Sequence, residues 1–181
     1  MSRDFSSHMP STPTTIRHLK DEVYADPKNI ISVVFGIRGA VKAFVGERTR
    51  KANDLIKQYL ALHQVTAYGW CVLADRVHLI AAPTPQKSLR QMVTDLQQIL
   101  TKQALPPKVE FYGDFFDHVL RKTEDPKQRT NELFEHALTA RGATPDLLPS
   151  FAGSNTIDLT SLTLTSADLA LTTVNQNSDP L

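Results

Sequence analysis

Two apolar, extended runs, residues 65 to 73 and 77 to 82, are separated by only Ala74-Asp75-Arg76. So short a connection joins antiparallel neighbours, because a parallel crossover needs roughly a dozen residues or more. The pair is therefore a β-hairpin, and Pro83 and Pro85 end its second strand by removing ladder donors. Residues i and i+2 of a strand share a face, so Arg76-Val77-His78 aims a guanidinium and an imidazole at one side. Two imidazoles in these places would converge on a divalent ion. A guanidinium has no lone pair to donate and stays protonated, so Arg76 cannot act as a ligand.

The rest of the chain alternates between the two periods. Ile30-Ile31-Ser32-Val33-Val34-Phe35 is β-branched and aromatic, and reads as a strand. Gly36-Ile37-Arg38-Gly39 supplies turn chemistry, and residues 40 to 45 read as a second extended run. From Glu47 to about His63 the apolar residues Ala52, Leu55, Ile56, Tyr59 and Leu60 recur with helical spacing. Ser88 caps a second helix with Leu89, Met92, Val93, Leu96, Ile99 and Leu100 on one stripe. A further strand includes residues 115 to 121. Asp125-Pro126-Lys127-Gln128 opens a third helix, with Leu133, Phe134, Ala137 and Leu138 as its apolar face and Gly142 just past its end. Strand, helix, hairpin, helix, strand, helix predicts an α+β domain with an antiparallel sheet and packed helices.

Residues 1–28 mix Ser, Thr, Pro and charge without period, and are expected to form a mobile arm before a domain over 29–154. Residues 155–181 are rich in Ser, Thr and Leu; disorder is the expectation, and an added edge strand or a docking segment for a protein partner the alternative. The formal charge of +1 conceals an asymmetry: residues 29–145 hold 16 basic and 11 acidic residues, whereas 146–181 hold four Asp and no Lys or Arg. The central excess suits either a face toward phosphate or a solvated surface. Arg48, Arg50, Lys51 and Lys57 on the first helix carry the same two readings. Tyr68 and Trp70, two apart on a strand, either stack bases or are buried. A lone Cys71 in an apolar run fits a reducing compartment and a small buried hydrophobe. Neither a signal-peptide pattern nor an apolar run of roughly 20 residues occurs, so a cytoplasmic location with no membrane contact is expected.

Several segments, in order, resemble the REP-associated tyrosine transposases, members of the single-tyrosine HUH class. Ala67-Tyr68-Gly69-Trp70-Cys71-Val72-Leu73-Ala74-Asp75-Arg76-Val77-His78-Leu79-Ile80 is similar to the family's "AYCVMPDHVHLLV", and Ser88-Leu89-Arg90-Gln91-Met92-Val93 to "SLSRFMQ". Phe111-Tyr112-Gly113-Asp114-Phe115-Phe116-Asp117-His118-Val119-Leu120-Arg121 is similar to "WQRSFFDHVLR", and Pro149-Ser150-Phe151-Ala152-Gly153-Ser154 to "YPFSGS". The resemblance spans roughly residues 30 to 154. It implies a ferredoxin-like antiparallel sheet, hairpin-forming DNA as substrate, and a divalent metal, Mg or Mn. In such enzymes two His and a polar residue from a later helix hold the metal, and a Tyr on that helix attacks phosphorus. An ungapped match of residues 124–136 to "EEDLEAVARYILEN" puts Glu132 at the Tyr position, and a shift by one gives Leu133. All four tyrosines, Tyr24, Tyr59, Tyr68 and Tyr112, precede this helix. His118 lies in a segment matching the family's and reads as structural, locking sheet to helix.

Three readings of function follow. In the first, the chain binds a DNA hairpin or single-stranded DNA through the old substrate surface, with Arg76, His78 and Arg121 near it and Arg48, Arg50 and Lys51 tracking the backbone. It holds no cofactor, and the degenerate positions Arg76, His78 and Glu132 do not cut. Arg76 then either pairs with a phosphate or is satisfied by Asp75 or Asp117. Such a protein would be nucleoid-associated when DNA-bound, and a homodimer is compatible with it. In the second, His78, Glu132 and His136 rebuild a metal site for a single-strand nuclease or transposase, since Glu132 and His136 are at i and i+4 of one helix. In the third, a protein-interaction module retains only the fold.

Overall fold

The computed structural model describes residues 18–159. Five strands, β1 (Ile31–Gly36), β2 (Ala67–Val72), β3 (Arg76–Ala81), β4 (Phe116–Val119) and β5 (Ala152–Gly153), form one sheet in the order β4-β1-β3-β2-β5. Every pairing is antiparallel. The helices are α1 (Asp21–Ala25), α2 (Glu47–Leu62), α3 (Leu89–Gln103) and α4 (Pro126–Arg141), with short 3₁₀ turns at Arg38–Ala40 and Pro145–Ser150. The first four strands with α2 and α3 make the βαββαβ arrangement of a ferredoxin-like fold. β5, from the Phe151-Ala152-Gly153 segment, extends that sheet beyond β2; nothing in a two-residue strand announces itself in sequence.

The two faces of the sheet are buried by different elements. Val33, Phe35, Trp70, Val72, Val77 and Leu79 meet α2 and α3 in one core, which also takes in Tyr24, Phe44, Phe111 and Phe115. On the other face Cys71, Leu73 and Ile80 pack under Leu133, Phe134, Ala137 and Leu138 of α4, with Leu148 and Phe151. The α4 boundaries follow from chemistry legible in sequence: the Asp125 carboxylate accepts from the Lys127 N–H at 3.0 Å, Pro126 occupies the first turn, and Gly142 closes the helix at φ 58°. Gly69 sets how close α4 comes, because a Cβ there would lie 2.6 Å from Cγ2 of buried Thr130.

Three sequence expectations are revised. Residues 40 to 45 are not a strand: Gly39 and Ala40 have φ of 74° and 51°, and the loop is pinned by Phe44, buried and donating its N–H to Ala74 O at 3.0 Å. The described part of the expected arm, 18–28, carries α1 and a fully buried Tyr24. Beyond a local bond from the Leu19 N–H at 3.1 Å, its partners are remote in sequence: the Tyr24 hydroxyl donates to Asp117, the ring meets Phe115 edge-on at 5.9 Å, and Arg90 lies 4.9 Å from it. Tyr68 and Trp70 do not share a face either. A bulge between Ala67 and Gly69 turns Tyr68 toward the α4 side and Trp70 into the α2 side. The tail expectation falls mostly on residues 160–181, outside the described residues. Among the described residues no helix is long and apolar enough to cross a membrane.

Candidate functional site

Register places the polar residues of the α4-side face in rows. Phe116 pairs with Val34, Val34 with His78, and His78 with Cys71; His118 pairs with Ser32, and Ser32 with Ile80. α4 covers the β2 end of these rows and leaves the β4 end open. Between them lies a cleft of about 480 Å³ lined by Ser32, His78, Ile80, His118, Leu120, Arg129, Glu132, Leu133 and His136. The structure thus gathers His78, Glu132 and His136 around one space. Arg121 follows Leu120 at its edge, exposed, with its backbone N–H donated to Glu124 at 2.7 Å. Arg48, Arg50 and Lys51 are exposed on α2, which packs on the opposite face of the sheet, so they do not join this cleft.

His78 is the unusual group. Its Nε2 is buried without a hydrogen-bond partner, and its ring lies 6.2 Å from that of His136. Burial first, then the nearby His136 and Arg76, push its pKa down to about 4, against a smaller opposing effect of Asp75. The unfolded chain therefore takes up a proton between pH 6.5 and about 4 that the fold refuses. Stability from this group is complete above pH 6.5 and falls away as the pH approaches 4, a loss of at most about 3 kcal/mol. Urea midpoints at pH 7 and 4.5 should diverge in the native sequence and converge in His78→Gln. Glu124 does not confuse this window. The Arg121 N–H, then Arg129 and His118, hold its carboxyl down at about 2, so its contribution is lost only at lower pH.

Arg76, Arg129, Glu132 and His118 around the cleft are already partnered. Arg76, the guanidinium in the first ligand position, is held by Asp75 through Nε at 2.8 Å and Nη2 at 3.0 Å, and the pair is exposed. Asp117, the other partner considered for it, instead accepts from Tyr24. Arg129 reaches Glu132 at 2.9 Å and Glu124 at 2.5 Å, and Glu132 also accepts from Gln128 at 3.1 Å. His118 bonds Glu124 at 2.9 Å, tying β4 to the turn before α4. Among the described residues no three His, Cys, Asp or Glu side chains converge as a metal requires, so the donors present do not fit the divalent ion implied by the resemblance. None of the four tyrosines lines the cleft. Tyr59 donates to Asp95 at 2.7 Å, and the Tyr112 hydroxyl accepts from the Gly39 N–H at 3.1 Å.

Nothing in the sequence places Arg129 or Ser32 in this cleft; His118 lines it too, while its bond to Glu124 is the sheet-to-helix tie expected of it. The pairing of β4 with β1 that brings Ser32 and His118 together carries no local signal.

No family model matches the chain, and no curated protein does. A solved structure of a REP-associated tyrosine transposase bound to a REP hairpin is similar, with a TM-score of 0.54 and 14% identity over 71% of this chain and 76% of that one. What the two chains share is the fold. It is an α+β, ferredoxin-like architecture, and in this chain the strand bearing Arg76 and His78 faces the helix bearing Glu132 across the cleft.

Proposed function

We propose that this chain is a transposase-like DNA-binding protein that engages a hairpin or single-stranded DNA and does not cut it. The observation that carries the reading is the cleft between β3 and α4. It lies in the fold of a transposase solved on a DNA hairpin, yet it is lined by neither a tyrosine nor a metal-binding set among the described residues. Strand transfer by this chemistry requires a nucleophile in line with phosphorus and a cation on the phosphate oxygens, and the lining of this cleft, as described, argues against both. Binding asks for less. Exposed Arg121, Lys122 and Lys127 at the β4–α4 turn supply cations beside the cleft, and the α2 group Arg48, Arg50 and Lys51 a second set for a longer duplex.

The test is a hairpin oligonucleotide with single-stranded flanks, titrated at 50 and 200 mM salt with Mg²⁺ or Mn²⁺ present. A complex that weakens with salt is expected, with no cleaved or covalently linked product. Arg121→Gln with Lys122→Gln should flatten the logarithmic salt slope by about one unit for each phosphate contact removed. A cleaved product lost in His78→Ala or Glu132→Ala would overturn the non-cutting part of the reading, and no complex at either salt would overturn the whole.

A further inference from the structure

The FFDHVLR segment sends two adjacent phenylalanines, Phe115 just before β4 and Phe116 at its first position, into different surroundings, and only one has a structural task. Phe115 is 5% exposed, with its ring 5.0 Å from His18 and 5.9 Å from Tyr24. Phe116 is 66% exposed. Its neighbour across the sheet, Val34, is half-buried, and His118 on the same face is exposed. Beyond Val34 the row runs directly into His78 and the cleft. An aromatic ring therefore stands on the uncovered half of the sheet, continuous with the cleft floor.

We propose that Phe116 is a base-stacking residue, and that the open half of this sheet face takes an unpaired stretch of DNA leading into the cleft. This rests on the DNA-binding reading above and adds the surface and the strandedness. Charge favours this occupant over an apolar protein segment. At one end of the face, two strand spacings or roughly 10 Å across from β4, Arg76 is held in an ion pair with Asp75. Arg121 and Lys122 stand at the other end, past Val119. A strand lying over Phe116 meets exposed cations on the Arg121 side of the stacked base, while every base offers the ring a π-face whatever the sequence. Tyr68 and Trp70, the aromatics that sequence spacing had suggested for stacking, are packed against α4 and buried beside α2, respectively.

The experiment measures anisotropy of fluorescein-labelled (dT)12 and of a blunt duplex of equal length with the full chain and two variants. Phe116→Ala should weaken (dT)12 binding about 5- to 100-fold and leave duplex binding within about twofold, with the thermal midpoint unchanged because the ring is exposed. Phe116→Trp should retain (dT)12 affinity and show indole quenching on binding, with Trp70 as the only other tryptophan. Equal (dT)12 affinity for the native chain and Phe116→Ala overturns the stacking role while DNA binding stands. If the native chain binds neither oligonucleotide, both readings fall. A change in oligomeric state in Phe116→Ala without a change in (dT)12 affinity assigns the ring to self-association instead.

Discussion

Trp70→Ala is expected to cost about 3–5 kcal/mol of folding stability, enough to remove much of the margin of a domain this size. The indole is 3% exposed, and its Nε1–H donates to Asn53 Oδ1 at 2.8 Å. Asn53 in turn donates to Pro149 O at 3.0 Å, so one ring joins β2, α2 and the turn that leads into β5. Truncation opens a cavity among three elements and leaves a buried amide oxygen without a donor. Shape matters on the far side as well: a Cβ at Gly153 would lie 2.2 Å from Cζ2 of Trp70, so the glycine exists to admit the ring. Trp70→Phe keeps most of the packing, loses the hydrogen bond, and should cost about 1–3 kcal/mol. Chemical denaturation of the two variants separates cavity from orphaned amide; equal losses would show that packing contributes little.

Arg141→Met should lower stability by about 2–3 kcal/mol. Arg141 is the last residue of α4, and its Nε and Nη2 both donate to Val72 O, at 2.9 and 2.8 Å. Nη2 also approaches Phe44 O and Thr49 Oγ1 at 3.3 Å, and the guanidinium lies 5.0 Å from the Phe151 ring. The group binds the C-terminus of α4 to β2, to the loop before α2 and to α2 itself, while its charge complements the helix dipole. Methionine preserves much of the apolar stem and removes every donor. Arg141→Lys should recover less than half of the loss, since an ammonium cannot present the same planar fork. Full recovery by lysine would mean that charge, not geometry, is what α4 requires at this end.

What sequence revealed of this fold, and what it concealed, divides by the range of the interactions. The hairpin, α2, α3 and α4 have signals inside themselves: a three-residue connection, helical spacing, the Ser88 capping box, and Asp125-Pro126 answered by Gly142. α1 has little, because the packing partners that bury Tyr24 include Asp117, Phe115 and Arg90, all more than 60 residues away. A single extra residue in β2 was enough to defeat the i, i+2 rule for Tyr68 and Trp70. The candidate site was legible as a list: His78, Glu132 and His136 do surround one cleft. Its electrostatics are legible only in part: the pairing of Arg76 with Asp75 is one of the partners that sequence offers, whereas the engagement of Glu124 and Glu132 by Arg129 is not among them.

Cys71 lies opposite His78 and beneath Leu133, Phe134 and Ala137, and burial raises its thiol pKa to about 12. It is the chain's only sulfhydryl. A thiol that is protonated and covered reacts only when its cover lifts, so the rate at which a disulfide reagent modifies this chain is a clock for α4 rising from the sheet. Comparing that clock in the presence and absence of an oligonucleotide would reveal whether occupying the cleft holds the helix down, with no label added to the protein.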